Sequence, residues 1–308
     1  MKFLDVKTDY AFKRVFGATE SVPLLISFLN AILDYTGDQE IVDLTIIDPY
    51  LAPKLEGMKD TYVDVRAQLA NGSSVIIEMQ VLNVKGFEQR VLYNAAKEFS
   101  NQLQTGEDYR LLNPVIALTL TDFIMFDEFE KYQSNFVLRE KETLTQYSDD
   151  IELVFIELPK FTKTEQELVD IKDKWLYFIR HAGKLNCIPS TLAEPCIQDA
   201  LFRANEAGMS REELELQHRR HDFIWLQQGS LELAEAKGVE KGKQEGIELG
   251  KQEGIELGKQ EGIEIGKQAE KLEIARNLLD VLDDATIASK TGLNMMQITQ
   301  LRTDFSPS

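Results

Sequence analysis

Apolar and polar residues alternate with period two on either side of Asn71-Gly72, and the pattern predicts a β-hairpin over 59–81. Val63, Val65, Ala67 and Leu69 share one face with Val75, Ile77, Met79 and Val81. Asp64, Arg66, Gln68, Glu78 and Gln80 share the other. A two-residue Asn71-Gly72 turn would pair Ala70 with Ser73 and set Val65 across from Glu78. A three-residue turn of Asn71, Gly72 and Ser73 pairs Ala70 with Ser74, Asp64 with Gln80 and Arg66 with Glu78. Because a one-residue slip moves every side chain to the opposite face, the apolar pattern selects the odd-length turn. Two carboxylates and an amide then meet on one face. The plain alternative is the wet side of an antiparallel sheet. Glu78 nevertheless sits in VIIEMQV, which reads as a strand covered on both sides, where a carboxylate needs a partner or a metal.

The remaining elements follow from spacing. Residues 8–17 read as a helix with Thr8 at its N-cap and Gly17 at its end, and Asp9, Phe12, Lys13 and Phe16 fall on one face. A second helix spans 22–33. A β-branched strand over 40–51 is stopped by Pro49. Residues 85–103 form a long amphipathic helix. Phe87, Val91, Leu92, Ala95, Ala96, Phe99 and Leu103 line one side, and Arg90, Tyr93, Asn94 and Lys97 another. The run 114–121 predicts a buried central strand, 135–139 and 151–158 two more strands, and 165–180 a helix. Residues 187–221 are helical in pattern without a site signal, since Arg219 and Arg220 separate His218 from His221.

The octapeptide GKQEGIEL recurs from 242 to 268 and places glycine at every fourth position. Each glycine costs about 1 kcal/mol of helix propensity relative to alanine. The glycine row turns by roughly 40° per step on a straight helix, so no fixed seam forms. This predicts a marginal helix or semi-flexible spacer. Residues 269–282 then form an amphipathic helix, and DDATIASKTGLNMMQITQLR has the outline of a helix-turn-helix with Gly292 in the turn. Arg302 is its only cation after the turn, which favours self-association over DNA reading.

Composition adds constraints. The 308 residues are 43% hydrophobic, enough for one large domain or two. No apolar run reaches the roughly 18 residues of a membrane span, and the N-terminus lacks an apolar signal segment. A cytoplasmic protein without membrane contact is expected. Two cysteines and three histidines leave oxygen ligands for any metal, which favours Mg²⁺ or Mn²⁺. A net charge of −18 opposes indiscriminate nucleic-acid binding, so a DNA enzyme of this composition needs a local basic groove or a partner.

The element order predicts an α/β class with a mixed central sheet flanked by helices, followed by an all-helical C-terminal extension. Three stretches carry a resemblance: TDYAFKRVFG, DVRAQLANGSSVIIEMQ and FEQRVLYNAA. Together they resemble the PD-(D/E)XK nuclease superfamily, and within it the Rpn-like recombination-promoting nucleases of transposase type, across about the first 185 residues. The resemblance implies a restriction-endonuclease-like core with Asp64 and Glu78 as metal-binding acids. It implies Gln80 where most of the superfamily has lysine, and charged first-helix positions at Asp9 and Lys13. It also implies DNA-contacting or supporting roles for Arg90 and Tyr93, and Arg66 is grouped with them. Val63, not proline, precedes Asp64.

The expected organisation is a nuclease-like domain over 1–185, a helical connector over 186–236, the repeat spacer over 237–268 and a helix-turn-helix-like tail over 269–308. The expected function is Mg²⁺-dependent (or Mn²⁺-dependent) DNA cleavage with dimerisation through the C-terminal helices. The alternative is a catalytically weak or inactive protein of the same fold whose output is set by a partner or by self-association.

Overall fold

The hairpin strands β4 (Val65–Leu69) and β5 (Ser74–Gln80) sit inside a six-stranded mixed sheet of order β1-β4-β5-β6-β8-β7. A computed structural model describes residues 1–52 and 59–305. β1 is Leu44–Ile47, β6 Val115–Thr121, β7 Gln133–Arg139 and β8 Gln146–Glu157. β5, β6 and β8 run parallel, and the outer pairings are antiparallel. The predicted mixed sheet flanked by helices is therefore the fold. β6 is buried along its whole length, as expected of a central strand covered on both faces.

The hairpin turn is odd-length, as the apolar pattern requires, but it consists of Ala70, Asn71 and Gly72. Gln68 pairs with Ser74, Arg66 with Ile76 and Val65 with Ile77. The register is thus two residues tighter than the predicted one, which leaves the faces unchanged. Continued by one residue, it sets Asp64 across from Glu78 in place of Gln80. Gly72 takes the left-handed position with φ +90°, and its N–H closes the turn on Leu69 O at 2.9 Å. A methyl group on Gly72 would meet Asn113 Oδ1 at 2.6 Å. Gly72→Ala is expected to cost about 1–2 kcal/mol in urea unfolding, because an L side chain is disfavoured there. No loss of stability would contradict this turn.

On one face of the sheet, α1 (Asp9–Phe16), α2 (Val22–Leu33), α4 (Ile171–His181) and α5 (Pro195–Arg203) build the main core with Val65, Ala67, Ile77 and Met79. Phe16, Phe28 and Trp175 meet at its centre, with Phe16 and Trp175 ring centroids 5.6 Å apart. The predicted bounds of α2 are the observed ones. Residues 186–210 contribute Leu192, Ile197, Ala200 and Leu201 to this same core. The opposite face is covered by α3 (Phe87–Asn101).

Several predicted elements differ in detail: β8 starts at Gln146, ahead of the expected 151, and 187–221 divides into α5 and the start of α6. The strand over 40–51 divides at Pro49, which cannot donate to a ladder. Tyr50–Leu51 (β2) leaves the sheet to pair with Thr61–Tyr62 (β3). The helix expected from 165 starts at Ile171, because Thr164 and Glu167 close a capping-box turn and Asp170 caps the helix proper.

The chain divides into two compact units, Met1–Gly229 and Ser230–Ser308. The glycine-rich repeat lies in a continuous helix, α6 (Arg211–Leu278), and a Cβ added at any of its repeat glycines meets nothing. Gln244, Gln252 and Gln260 each donate to a glutamate one turn earlier, which supplies local support in place of packing. In the second unit, the end of α6, α7 (Asp284–Thr291) and α8 (Met295–Phe305) enclose Ala275, Leu279, Ile287, Leu293, Ile298 and Leu301. Gly292 adopts φ +70° between α7 and α8. Arg302 bonds Asp284 and the carbonyls of Leu279 and Leu282, so it braces this module internally. Among the described residues, no single helix is long and apolar enough to cross a membrane.

Candidate active site

The carboxylates of the hairpin sit where β4 and β5 meet α1 and α3. Asp64 is largely buried, and its Oδ2 accepts from the Met79 N–H at 2.7 Å. Its Oδ1 lies 3.4 Å from Lys13 Nζ, which also holds Asp9 Oδ1 at 2.6 Å. The i,i+4 spacing of Asp9 and Lys13 on α1 thus delivers both to Asp64. Burial, reinforced by a hydrogen bond with Asp9, pushes the Asp64 carboxyl up to about 7. Asp9 moves the opposite way: burial opposes its ionisation, but the hydrogen bond from Asp64 and the charge of Lys13 outweigh it. The two shifts run in opposite directions because Asp64 and Asp9 meet through one hydrogen bond beside the same ammonium group.

Glu78 follows the same logic. Burial raises its pKa, while Arg90 and Asn94 of α3 pull it back. The Arg90 guanidinium bonds Glu78 Oε1, donates to Gln80 Oε1 at 2.8 Å and stacks 5.0 Å from the Phe87 ring centroid. Gln80 in turn donates through Nε2 to Leu82 O at 2.7 Å. Lys13, Asp9, Asp64, Glu78, Gln80 and Arg90 therefore form one connected cluster.

Two of the sequence-derived residues stand apart from that cluster. Arg66 pairs with Glu98 of α3 at 2.8 Å and donates to Asp48 O at 3.3 Å. Tyr93 lies beside Lys97, whose ammonium is 5.8 Å from its ring centroid.

The orientation of α3 was not visible in its apolar pattern. Leu92 is 54% exposed, whereas Asn94, Lys97 and Glu98 are buried. The helix turns a polar edge toward the sheet because that edge carries the partners of Glu78 and Arg66.

Sequence reading also missed Arg220. Its guanidinium donates to Asp9 Oδ2 at 3.1 Å from the first turns of α6. The basic run HRRH at 218–221 was the available signal, but α6 reaches α1 only in three dimensions.

A model of the PD-(D/E)XK nuclease family transposase matches residues 6–234, most of the chain and all of the cluster. The chain belongs to that family. No curated protein and no solved structure matches it. Nucleases of the PD-(D/E)XK family generally use divalent metals. Among the described residues, no three His, Cys, Asp or Glu side chains form a group that could hold an ion by themselves. The donor set still fits a hard cation bound mainly by water and substrate oxygens: two largely buried carboxylates at one end of the hairpin, both held back from ionising by burial, gain most from a nearby positive charge.

Proposed function

We propose that this family member is a metal-dependent DNA endonuclease that hydrolyses phosphodiester bonds. The observation that carries the reading is the meeting of two largely buried carboxylates, Asp64 and Glu78, at the end of the hairpin ladder, one held by Lys13 and the other by Arg90. These two acids would hold the ion. A bound Mg²⁺ or Mn²⁺ would polarise the phosphoryl group and acidify an attacking water. Gln80 has one amide N–H and one carbonyl lone pair left after its bonds to Leu82 and Arg90, enough to orient a water. Lys13 supplies the cation that glutamine cannot, and Asp9 keeps its ammonium beside Asp64.

Lys13→Met is expected to lower cleavage by about a hundredfold, the scale of losing one charge-stabilising donor. Its melting temperature should change little, because Lys13 is 40% exposed. Unchanged cleavage would remove Lys13 from the mechanism. The test of the whole reading is nicking of supercoiled plasmid by the full chain with Mg²⁺ or Mn²⁺. Wild type should nick, and Asp64→Asn and Glu78→Gln should not.

The second reading, a catalytically weak or inactive interaction protein, has its own support: Arg90 bonds both Glu78 and Gln80. Wild-type protein that never nicks would favour it.

DNA is the proposed substrate and the cytoplasm the proposed location. A second copy is the proposed partner, pairing through the C-terminal helices, where Ile247, Leu249, Ile255 and Leu257 are exposed. Light scattering should then give twice 35.1 kDa for the full chain. Persistence of the dimer after truncation before Gly242 would assign assembly to the core.

A further inference from the structure

A chain of net charge −18 must grip a polyanion locally. Two cations of the carboxylate cluster are engaged by its acids: Lys13 holds Asp9 and Asp64, and Arg90 holds Glu78 and Gln80. The first turns of α6 bring more. Tyr10 OH donates to Glu213 at 2.7 Å, Thr8 Oγ1 to Gln217 at 3.5 Å and Arg220 to Asp9 at 3.1 Å, so the basic run 218–221 is docked on α1. Thr8, Asp9, Arg219, Arg220, Phe223 and Ile224 line an open recess of about 320 Å³. Phe223 is 59% exposed in this recess, a large apolar ring left in water beside two guanidinium groups.

We propose that this recess grips a single DNA strand: Arg219 and Arg220 bind its phosphates, and Phe223 stacks an unpaired base next to the scissile position. The inference rests on the nuclease reading and deepens it by naming the form of DNA. Arg220 is available for this exchange because its pair with Asp9 is exposed on both sides, at 45% and 49%. Such a pair is weak in water, whereas a guanidinium meets a phosphate through two parallel hydrogen bonds. Among the described residues, Arg219 makes a single bond, of 3.4 Å, to Glu215 O. Phosphate-tracking cations interleaved with an exposed aromatic ring are the recurring chemistry of single-strand grooves, because every base has a face to stack. Asp9 of the recess wall also pairs with Lys13, which in turn pairs with Asp64, so a strand held there lies beside the carboxylate cluster.

The test is fluorescence anisotropy with full-length protein in EDTA, using a labelled oligothymidylate and a duplex over a range of KCl concentrations. Arg219→Gln/Arg220→Gln is expected to weaken single-strand binding by about 10- to 100-fold. It should also flatten the slope of log K against log salt by about 1.4, at roughly 0.7 for each phosphate no longer neutralised. Phe223→Ala should weaken single-strand binding about tenfold and leave the duplex nearly unchanged, as loss of one stacked base requires. Asp9→Asn should tighten binding by releasing Arg220. An arginine that merely ties α6 to α1 would instead lower the melting temperature in Arg220→Gln with no change of slope, and that result overturns the proposal. So does a Phe223→Ala variant that loses single strand and duplex alike. Wild-type protein that binds with the predicted slope yet never nicks DNA would sink the nuclease reading and leave the strand grip standing. Asp64-dependent nicking with unaltered binding by the double arginine variant would do the reverse.

Discussion

Asp64→Asn and Glu78→Gln are each expected to lower plasmid nicking by about a thousandfold, because each removes one of the two anionic ligands through which a divalent ion would act. The same substitutions should not unfold the protein. Asp64 pays for its position: burial pushes its carboxyl up to about 7, above the unfolded value, so the folded state loses stability as pH rises toward and through that pKa. Asparagine keeps the shape and lifts this penalty. Asp64→Asn should therefore be more stable than wild type at pH above about 7 and show little difference below about pH 4, where both folded and unfolded carboxyls are protonated. A shift of this size corresponds to at most roughly 4 kcal/mol, reduced by Asp9, whose lowered pKa works in the opposite sense. Thermal melts across pH read the effect. A variant that is dead and also strongly destabilised at high pH would mean that Asp64 is structural.

The second large effect is expected far from catalysis. Arg66→Leu leaves Glu98, 1% exposed, as a buried charge without its partner, and should cost about 3 kcal/mol or more in urea unfolding. The double variant Arg66→Leu/Glu98→Leu should recover most of that loss, since a buried pair is often replaceable by apolar side chains of similar volume. DNA binding of the double variant should match wild type. If Arg66→Leu is stable but fails to bind DNA, Arg66 contacts the substrate and its pairing with Glu98 is incidental.

Most of the fold was legible because burial on one face imposes period two on strands and 3.6 on helices. The hairpin faces and α2 follow from that rule, and β6 from a continuous apolar run that marks a strand covered on both faces. The exact register did not follow, because it depends on which residue takes the left-handed turn position. Gly72 takes it with Ala70 inside the turn, so the register, continued past Val65, sets Asp64 across from Glu78 and not Gln80. The rotation of α3 was illegible for a different reason. Phe87, Val91 and Ala95 of its apolar stripe are buried as usual, but Asn94, Lys97 and Glu98 go inward beside them because their partners are Glu78, the Lys59 carbonyl and Arg66. Of the residues singled out from the sequence, Asp9, Lys13, Asp64, Glu78, Gln80 and Arg90 lie together, whereas Tyr93 and Arg66 have other partners. Sequence reading could not find Arg220, more than two hundred residues from Asp9 along the chain, because neither periodicity nor spacing reports where the start of α6 docks.

The claim that the hairpin acids form a cation site is tested most directly by calorimetric titration of the metal-free full chain with Mn²⁺. One ion per chain should bind, more tightly at pH about 8 than at pH about 6, because the ion displaces the proton held on Asp64. Both Asp64→Asn and Glu78→Gln should abolish that binding. Mn²⁺ that fails to bind wild type, or binds both variants as well as wild type, would contradict the account.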